Sequence, residues 1–160
     1  MNENTETHIE ASDELSGRYL LFYIGDAIYG ISLSLVLEII DIQHITRLPR
    51  VAEYVKGIVN LRGKVVPAID VRLKFNMPER PYDDKTCIIV LDIHDMHIGL
   101  IVDRVLEVVT VEPEQLATPP SVGDLTSRYL SSVSEVGGKV ILNIDFDKFF
   151  QSDLDTALHL

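Results

Sequence analysis

The chain has a single cysteine, Cys87, which excludes an internal disulfide framework. No apolar run approaches the roughly 20 residues of a membrane-spanning helix. Basic residues are few: 14 Lys and Arg face 25 Asp and Glu, leaving a net charge of -11 and no basic stripe. Nucleic-acid binding relies on such a stripe to displace counterions from phosphates, so nucleic acid is not an expected partner. An anionic membrane surface would repel the chain, and direct membrane insertion is not expected. There is no phosphate-cradling glycine loop and no glycine-flanked serine nucleophile. The first 16 residues hold Glu3, Glu6, Glu10, Asp13 and Glu14 without one Lys or Arg. That composition is not a secretory signal and reads as a disordered acidic tail. With the lone cysteine, it points to the cytoplasm.

What remains is globular. Of 160 residues 46% are hydrophobic and 24% charged, enough for one domain or two small intimate ones. The acidity serves solubility on one reading and selection of a basic partner surface on another.

The chain also contains itself twice. Gly30, Val36, Leu37 and Glu38 return in order as Gly99, Val105, Leu106 and Glu107. Gly63, Lys64 and Asp70 return as Gly138, Lys139 and Asp145. Matched positions share a structural job, so positions where the copies differ are the better functional candidates. Setting Gly63 on Gly138 places Asn60 against Glu135, Arg62 against Gly137, and Gly57 against Ser132. The first copy thus carries a cation at a turn tip where the second has glycine, and its planar donor fork would be free to reach a partner. A merely solvated turn arginine is the competing reading.

Hydrophobic patterning and turn residues divide the chain into short strands. Residues 19–24 and 28–31 form a hairpin around Gly25-Asp26. A helical turn capped by a serine opens at 32, and a strand follows from 36. Residues 57–61 and 64–69 form a hairpin around Arg62-Gly63, with Pro67 expected at an edge or a bulge. Asp70 caps a helical turn from 71 to 75. The second copy runs through strands 86–93 and 96–102, the strand at 105–111, and a long loop marked by Pro113, Pro119, Pro120 and Gly123. A hairpin around Gly137-Gly138 follows, then a short helix capped by Asp145. Many short strands with turns every 8–12 residues indicate an all-β fold of small barrels or a sandwich. Two copies of about five strands suggest two barrels sharing one core. No long crossover helix supports an α/β fold.

Candidate chemistry is sparse. His94 and His97, beside Asp92 and Asp95, have ligand chemistry but sit at a hairpin turn, so no metal is expected. Cys87 reads as a buried strand cysteine. Asp70 and Asp145 could do acid–base work, yet capping explains both. No cofactor and no enzymatic activity are expected; a small hydrolase using Asp70 or the histidines is the distant alternative.

The run 55–72, with Val55, Lys56, Gly57, Asn60, Arg62, Gly63, Pro67, Asp70 and Arg72, resembles the signature of the CheW-type chemotaxis coupling proteins. The resemblance extends over about 19–150. It implies two SH3-like five-stranded β-barrel subdomains sharing a hydrophobic core, with short helical turns. The expected division is a tail at 1–16, one domain at 17–152 with intertwined barrels at roughly 17–80 and 85–150, and a tail at 153–160. It implies a non-catalytic adaptor bridging the regulatory domain of the histidine kinase CheA to the cytoplasmic helical tips of chemoreceptors, at membrane-associated arrays. A coupling protein of another chemosensory system, such as one driving twitching pili, is the alternative. A fusion carrying a phosphorylatable receiver finds no βα alternation here. Carried over by position, Val36, Glu38, Gly57, Asn60, Arg62 and Val108 fall in or beside the receptor-binding groove. The kinase contact falls around Ile42, His44, Arg47, Lys64 and Val66.

Overall fold

Eleven short strands and two single-turn helices make up the described part of the chain. The computed structural model describes residues 17–119 and 127–150. The tails expected at 1–16 and 153–160 lie outside these residues, as do Pro120 and Gly123 of the long loop.

The strands are β1 (Arg18–Ile24), β2 (Ala27–Ser32), β3 (Val36–Asp41), β4 (Val55–Leu61), β5 (Lys64–Asp70), β6 (Cys87–Ile93), β7 (Met96–Val102), β8 (Arg104–Thr110), β9 (Leu116–Ala117), β10 (Leu130–Val136) and β11 (Lys139–Ile144). Helix α1 spans Val71–Lys74 and α2 spans Phe146–Phe149. One sheet has the order β3-β6-β7-β5-β4, the other β8-β1-β2-β11-β10-β9. Neither sheet is drawn from one half of the chain. The hairpin β6–β7 of the second copy joins β3, β4 and β5 of the first, and β1–β2 joins the second copy's strands. Each exchanged hairpin is received by parallel pairing, β5 with β7 and β11 with β2, against otherwise antiparallel neighbours.

The first of the repeated glycines explains itself at these parallel junctions. A Cβ on Gly30 would lie 2.4 Å from Asn143 Oδ1, and one on its mate Gly99 would lie 2.8 Å from Ile88 Cγ2. At Gly30 only glycine lets β11 approach across the parallel junction; at Gly99 the crowding comes from Ile88 on β6, the antiparallel partner within the exchanged hairpin. The chain beyond β3 then bridges β4 at Thr46–Ile58, and β9 pairs with β10 at Ala117–Val133. These two contacts join opposite edges of the two sheets and close them as SH3-like barrels.

One hydrophobic cluster spans both barrels, from Leu20 and Phe22 to Ile89, Leu91, Phe149 and Phe150. A smaller one, Val59, Ala68, Ile88, Val90 and Ile101, fills the first barrel. Rings run through the shared core in sequence: Phe22 on Tyr29, Tyr29 on Phe75, Phe75 on Phe149, with centroids 5.8, 5.1 and 5.9 Å apart. Each fully buried phenylalanine contributes about 1.5–3 kcal/mol by leaving water.

Two local expectations are corrected. Ser32 stands at the cap position of the three-residue turn Leu33–Leu35, but its side chain makes no cap bond. Its hydroxyl lies 2.9 Å from that of Ser34 instead. Pro67 lies in an interior strand rather than at the sheet's edge, one residue from the bulge that shifts the β4–β5 register between Val55 and Gly57. The β5–β7 register covers only Ala68 to Asp70, so at Pro67 no ladder bond to β7 is demanded. Asp70 and Asp145 cap as expected: Asp70 accepts from the Leu73 N–H at 3.2 Å, and Asp145 from those of Asp147 and Lys148 at 3.0 and 3.2 Å.

Candidate functional site

The β4–β5 hairpin turns on Arg62 and Gly63, both at positive φ of 52° and 83°. Its mate turns on Gly137 and Gly138 at 58° and 79°, so the backbone geometry is shared and only the side chain differs. Asn60 holds the first turn in shape: its Oδ1 accepts from the Gly63 N–H at 3.0 Å.

Arg62 is not free, as its turn-tip position suggested. Its guanidinium donates to both oxygens of Glu38 on β3, although its own side chain is 76% exposed. Glu38 and Arg62 come from opposite edges of the sheet, and barrel closure brings them together. Beside the pair opens a pocket of ≈ 270 Å³. Leu37, Leu61, Val66 and Val90 supply its apolar lining, and Lys64 and His97 complete its polar rim. Leu37 is 49% exposed, a large apolar side chain left at the rim.

The other expected site residues separate by role. Gly57 is buried, with φ of 146°. A Cβ there would lie 2.0 Å from the Thr46 carbonyl oxygen, so this glycine admits the segment carrying Thr46 and Arg47 against β4. In the fold it positions that segment. Val36 packs half-buried on the shared core, and Val108 is exposed on β8. Neither lines the Glu38–Arg62 pocket. The two lie on β3 and β8, each the edge strand of its sheet. The Val105 N–H reaches the Cys87 thiol, and Cys87 pairs with Asp41 at the end of β3, so the start of β8 abuts the end of β3. Ile42 packs on the first barrel's core, and His44 is exposed. Arg47 lines a separate cleft of ≈ 320 Å³ with Leu48, Val51 and Lys56. Lys64 and Val66, expected with the kinase contact, fall instead in the pocket of Glu38 and Arg62.

The residues weighed for catalysis or metal are occupied separately. His94 Nε2 lies 2.7 Å from Asp147, while His97 Nε2 lies 3.4 Å from Lys64 Nζ. Among the described residues no three ligating side chains gather. Burial raises the Cys87 thiol's pKa, which disfavours the thiolate nucleophile. Asp70 also accepts from the Tyr82 hydroxyl at 2.8 Å, which pins the linker between the copies.

A second polar centre was not legible in sequence. Asp103, between β7 and β8, accepts from the Gly25 N–H at 2.7 Å and from Arg72 Nε at 2.9 Å, with Arg80 at 3.4 Å. Asp103 and Arg72 side chains are each only 14% exposed. Burial alone would raise the carboxyl's pKa, but the Arg72 hydrogen bond, the Gly25 N–H and the two arginine charges outweigh it and hold it low. The Gly30–Glu38 echo already pairs Asp103 with Ser34 in the repeat, a difference that could have drawn attention to it.

Two exchanged SH3-like barrels, with an arginine–glutamate pair beside the apolar pocket of the first copy, define a class: duplicated double-barrel modules. The CheW-like domain family matches residues 18–154, and the chain belongs to that family. It is 32% identical over 144 residues to the chemotaxis protein CheW of Klebsiella aerogenes, covering 89% of this chain and 87% of that one. Protein FrzA of Myxococcus xanthus is 26% identical over 142 residues, covering 88% of this chain and 89% of that protein. The crystal structure of the scaffolding protein TtCheW from Thermoanaerobacter tengcongensis superposes with a TM-score of 0.77 at 29% identity, covering 84% of this chain and 87% of that one.

Proposed function

We propose that this chain is a non-catalytic adaptor that couples chemoreceptors to the histidine kinase CheA in chemotaxis signalling. It acts in the cytoplasm at receptor arrays. No helix among the described residues is long and apolar enough to cross a membrane, so recruitment rests on protein contacts.

The receptor's helical tip docks along the seam of β3 and β8. Val36 and Val108 form its apolar wall, and Glu38 and Arg62 form its polar end. Gly57 and Asn60 serve that end indirectly, by fixing the β4–β5 hairpin and the segment against it. The regulatory domain of the kinase meets the first barrel around Ile42, His44 and Arg47. Lys64 and Val66 belong with the receptor end, because they share its pocket.

The observation that carries this reading is the asymmetry of one ion pair. Glu38 has the repeat mate Glu107, and Glu107 lies 3.8 Å from Lys139 on an exposed face. In the first copy Arg62 takes the glutamate instead, beside an apolar pocket. One fold is used twice, and one copy of it has acquired recognition chemistry.

Titration of the purified chain with the isolated regulatory domain of CheA tests the reading. Micromolar binding, on the order of -8 kcal/mol, is expected. The absence of a complex at tens of micromolar would defeat it. A motility assay of the deletion strain separates flagellar chemotaxis from another chemosensory pathway.

A further inference from the structure

The copies differ in what their lysines do. Lys139 lies beside Glu107 at 3.8 Å. Lys64, its mate, has lost the equivalent Glu38 to Arg62. No carboxylate among the described residues stands within ion-pair distance of Lys64, and its Nζ lies 3.4 Å from His97 Nε2. Arg62 and Lys64, with the His97 imidazole beside Lys64, thus share one mouth with the single acid Glu38, in a chain whose net charge is -11. Beneath them Leu61, Val66 and Val90 are apolar. At ≈ 270 Å³ the pocket falls below the roughly 300 Å³ at which small-molecule sites begin, and suits one protruding side chain.

We infer that this pocket seats an aliphatic or aromatic anchor of the receptor tip, and that Lys64 and His97 receive a carboxylate from the same helix. A carboxylate three or four residues from the anchor shares its face and reaches the rim as the anchor enters. A basic helix would meet the rim cations. A neutral one would cover Lys64 without giving it a partner, so both are disfavoured. Lys64 and His97 are then specificity-determining residues. Repulsion of the wrong helix does as much of the selecting as attraction of the right one. This inference rests on the coupling function proposed above and adds the chemistry of what is recognised.

Calorimetric titration of the full chain with the cytoplasmic fragment of its receptor tests it, with the kinase regulatory domain titrated in parallel. The double variant Lys64→Glu/His97→Glu changes only rim side chains, and circular dichroism confirms that it folds. It is expected to lose at least tenfold in affinity for the receptor fragment and to keep its affinity for the kinase domain. Lys64→Arg, which keeps the charge, is expected to stay within about threefold of the parent, and wild-type affinity should fall as salt rises. Unchanged receptor affinity in the double variant overturns the inference while leaving the coupling function intact. A loss confined to the kinase domain overturns it as well. A wild-type chain that binds no receptor fragment overturns the coupling function, and this inference with it.

Discussion

The residue that separates the copies most sharply is Arg62, and its backbone carries a cost. A non-glycine residue at φ of 52° sits where its mate is Gly137 at 58°. Arg62→Gly should therefore hold or raise the unfolding midpoint while weakening receptor binding; a marked fall in the midpoint would show that Arg62 is architectural. Gly57 is the opposite case. Alanine there would drive a Cβ to 2.0 Å from the Thr46 carbonyl, at a φ that L-residues avoid. Gly57→Ala is expected to cost about 3 kcal/mol or more in denaturant unfolding, and wild-type stability would refute the role assigned to it. Comparison of the copies in sequence selects Gly57, Asn60 and Arg62. It cannot tell a positioning glycine from a binding surface, because the clash at Gly57 involves a segment that meets β4 only when the barrel closes. Nor does it find the Glu38–Arg62 bond, whose partners lie 24 residues apart on opposite sheet edges.

At the scale of elements, the hairpin turns and the two aspartate caps are written locally and are legible, whereas the serine cap expected at 32 is not formed. Gly63, Gly138, Asp70 and Asp145 each act within a few residues of where they stand. The strand following the turn at 33–35 is also legible, despite apolar spacing that fits a helix, because Val36, Ile39 and Ile40 are β-branched. Hairpin exchange was less accessible. Sheet order depends on which distant strand receives β6–β7, and no residue encodes that by itself; Pro67 appears misplaced until its short parallel register is known. The Asp103 clamp joins the β1–β2 turn, α1 and the linker to the β7–β8 corner. Its carboxyl has a folded pKa below the ordinary value of about 3.9, so its contribution is full above that value and is lost as pH falls through the folded one. Asp103→Asn should cost about 2–3 kcal/mol at neutral pH and flatten the acid limb of the stability profile. An unchanged acid limb would contradict the clamp.

At the scale of the whole molecule, the duplication closes on a pseudo-twofold axis. Tyr54 and Tyr129 are mates, and each backbone carbonyl accepts from the cap aspartate of its own copy at 2.8 Å. Both rings flank Lys74, at 4.2 and 5.4 Å, and Phe149, the mate of Lys74, lies 5.5 Å away. Lys74 is only 5% exposed, and desolvation lowers its pKa from 10.5 to about 8. Between these two values the unfolded chain binds more protons than the folded one, so this group makes stability rise with pH. Tyr82 acts oppositely. Burial and its bond to Asp70 raise its pKa, so its contribution is present below the unfolded value of about 10 and is lost as pH rises beyond it. The rise due to Lys74 is therefore read between pH 8 and about 10, and Lys74→Met should flatten it. A rise that persists in the variant would assign it elsewhere.

The central claim is that two copies share one architecture and the first alone carries the receptor-facing chemistry. Reconstitution of the purified chain with the CheA regulatory domain and a receptor cytoplasmic fragment, read by size exclusion with wild type and Arg62→Gly side by side, tests it most directly. The account predicts a three-component complex for wild type, and for the variant a kinase complex that no longer retains the receptor. A variant that retains the receptor as well as wild type does, or a wild type that binds neither partner, would contradict it.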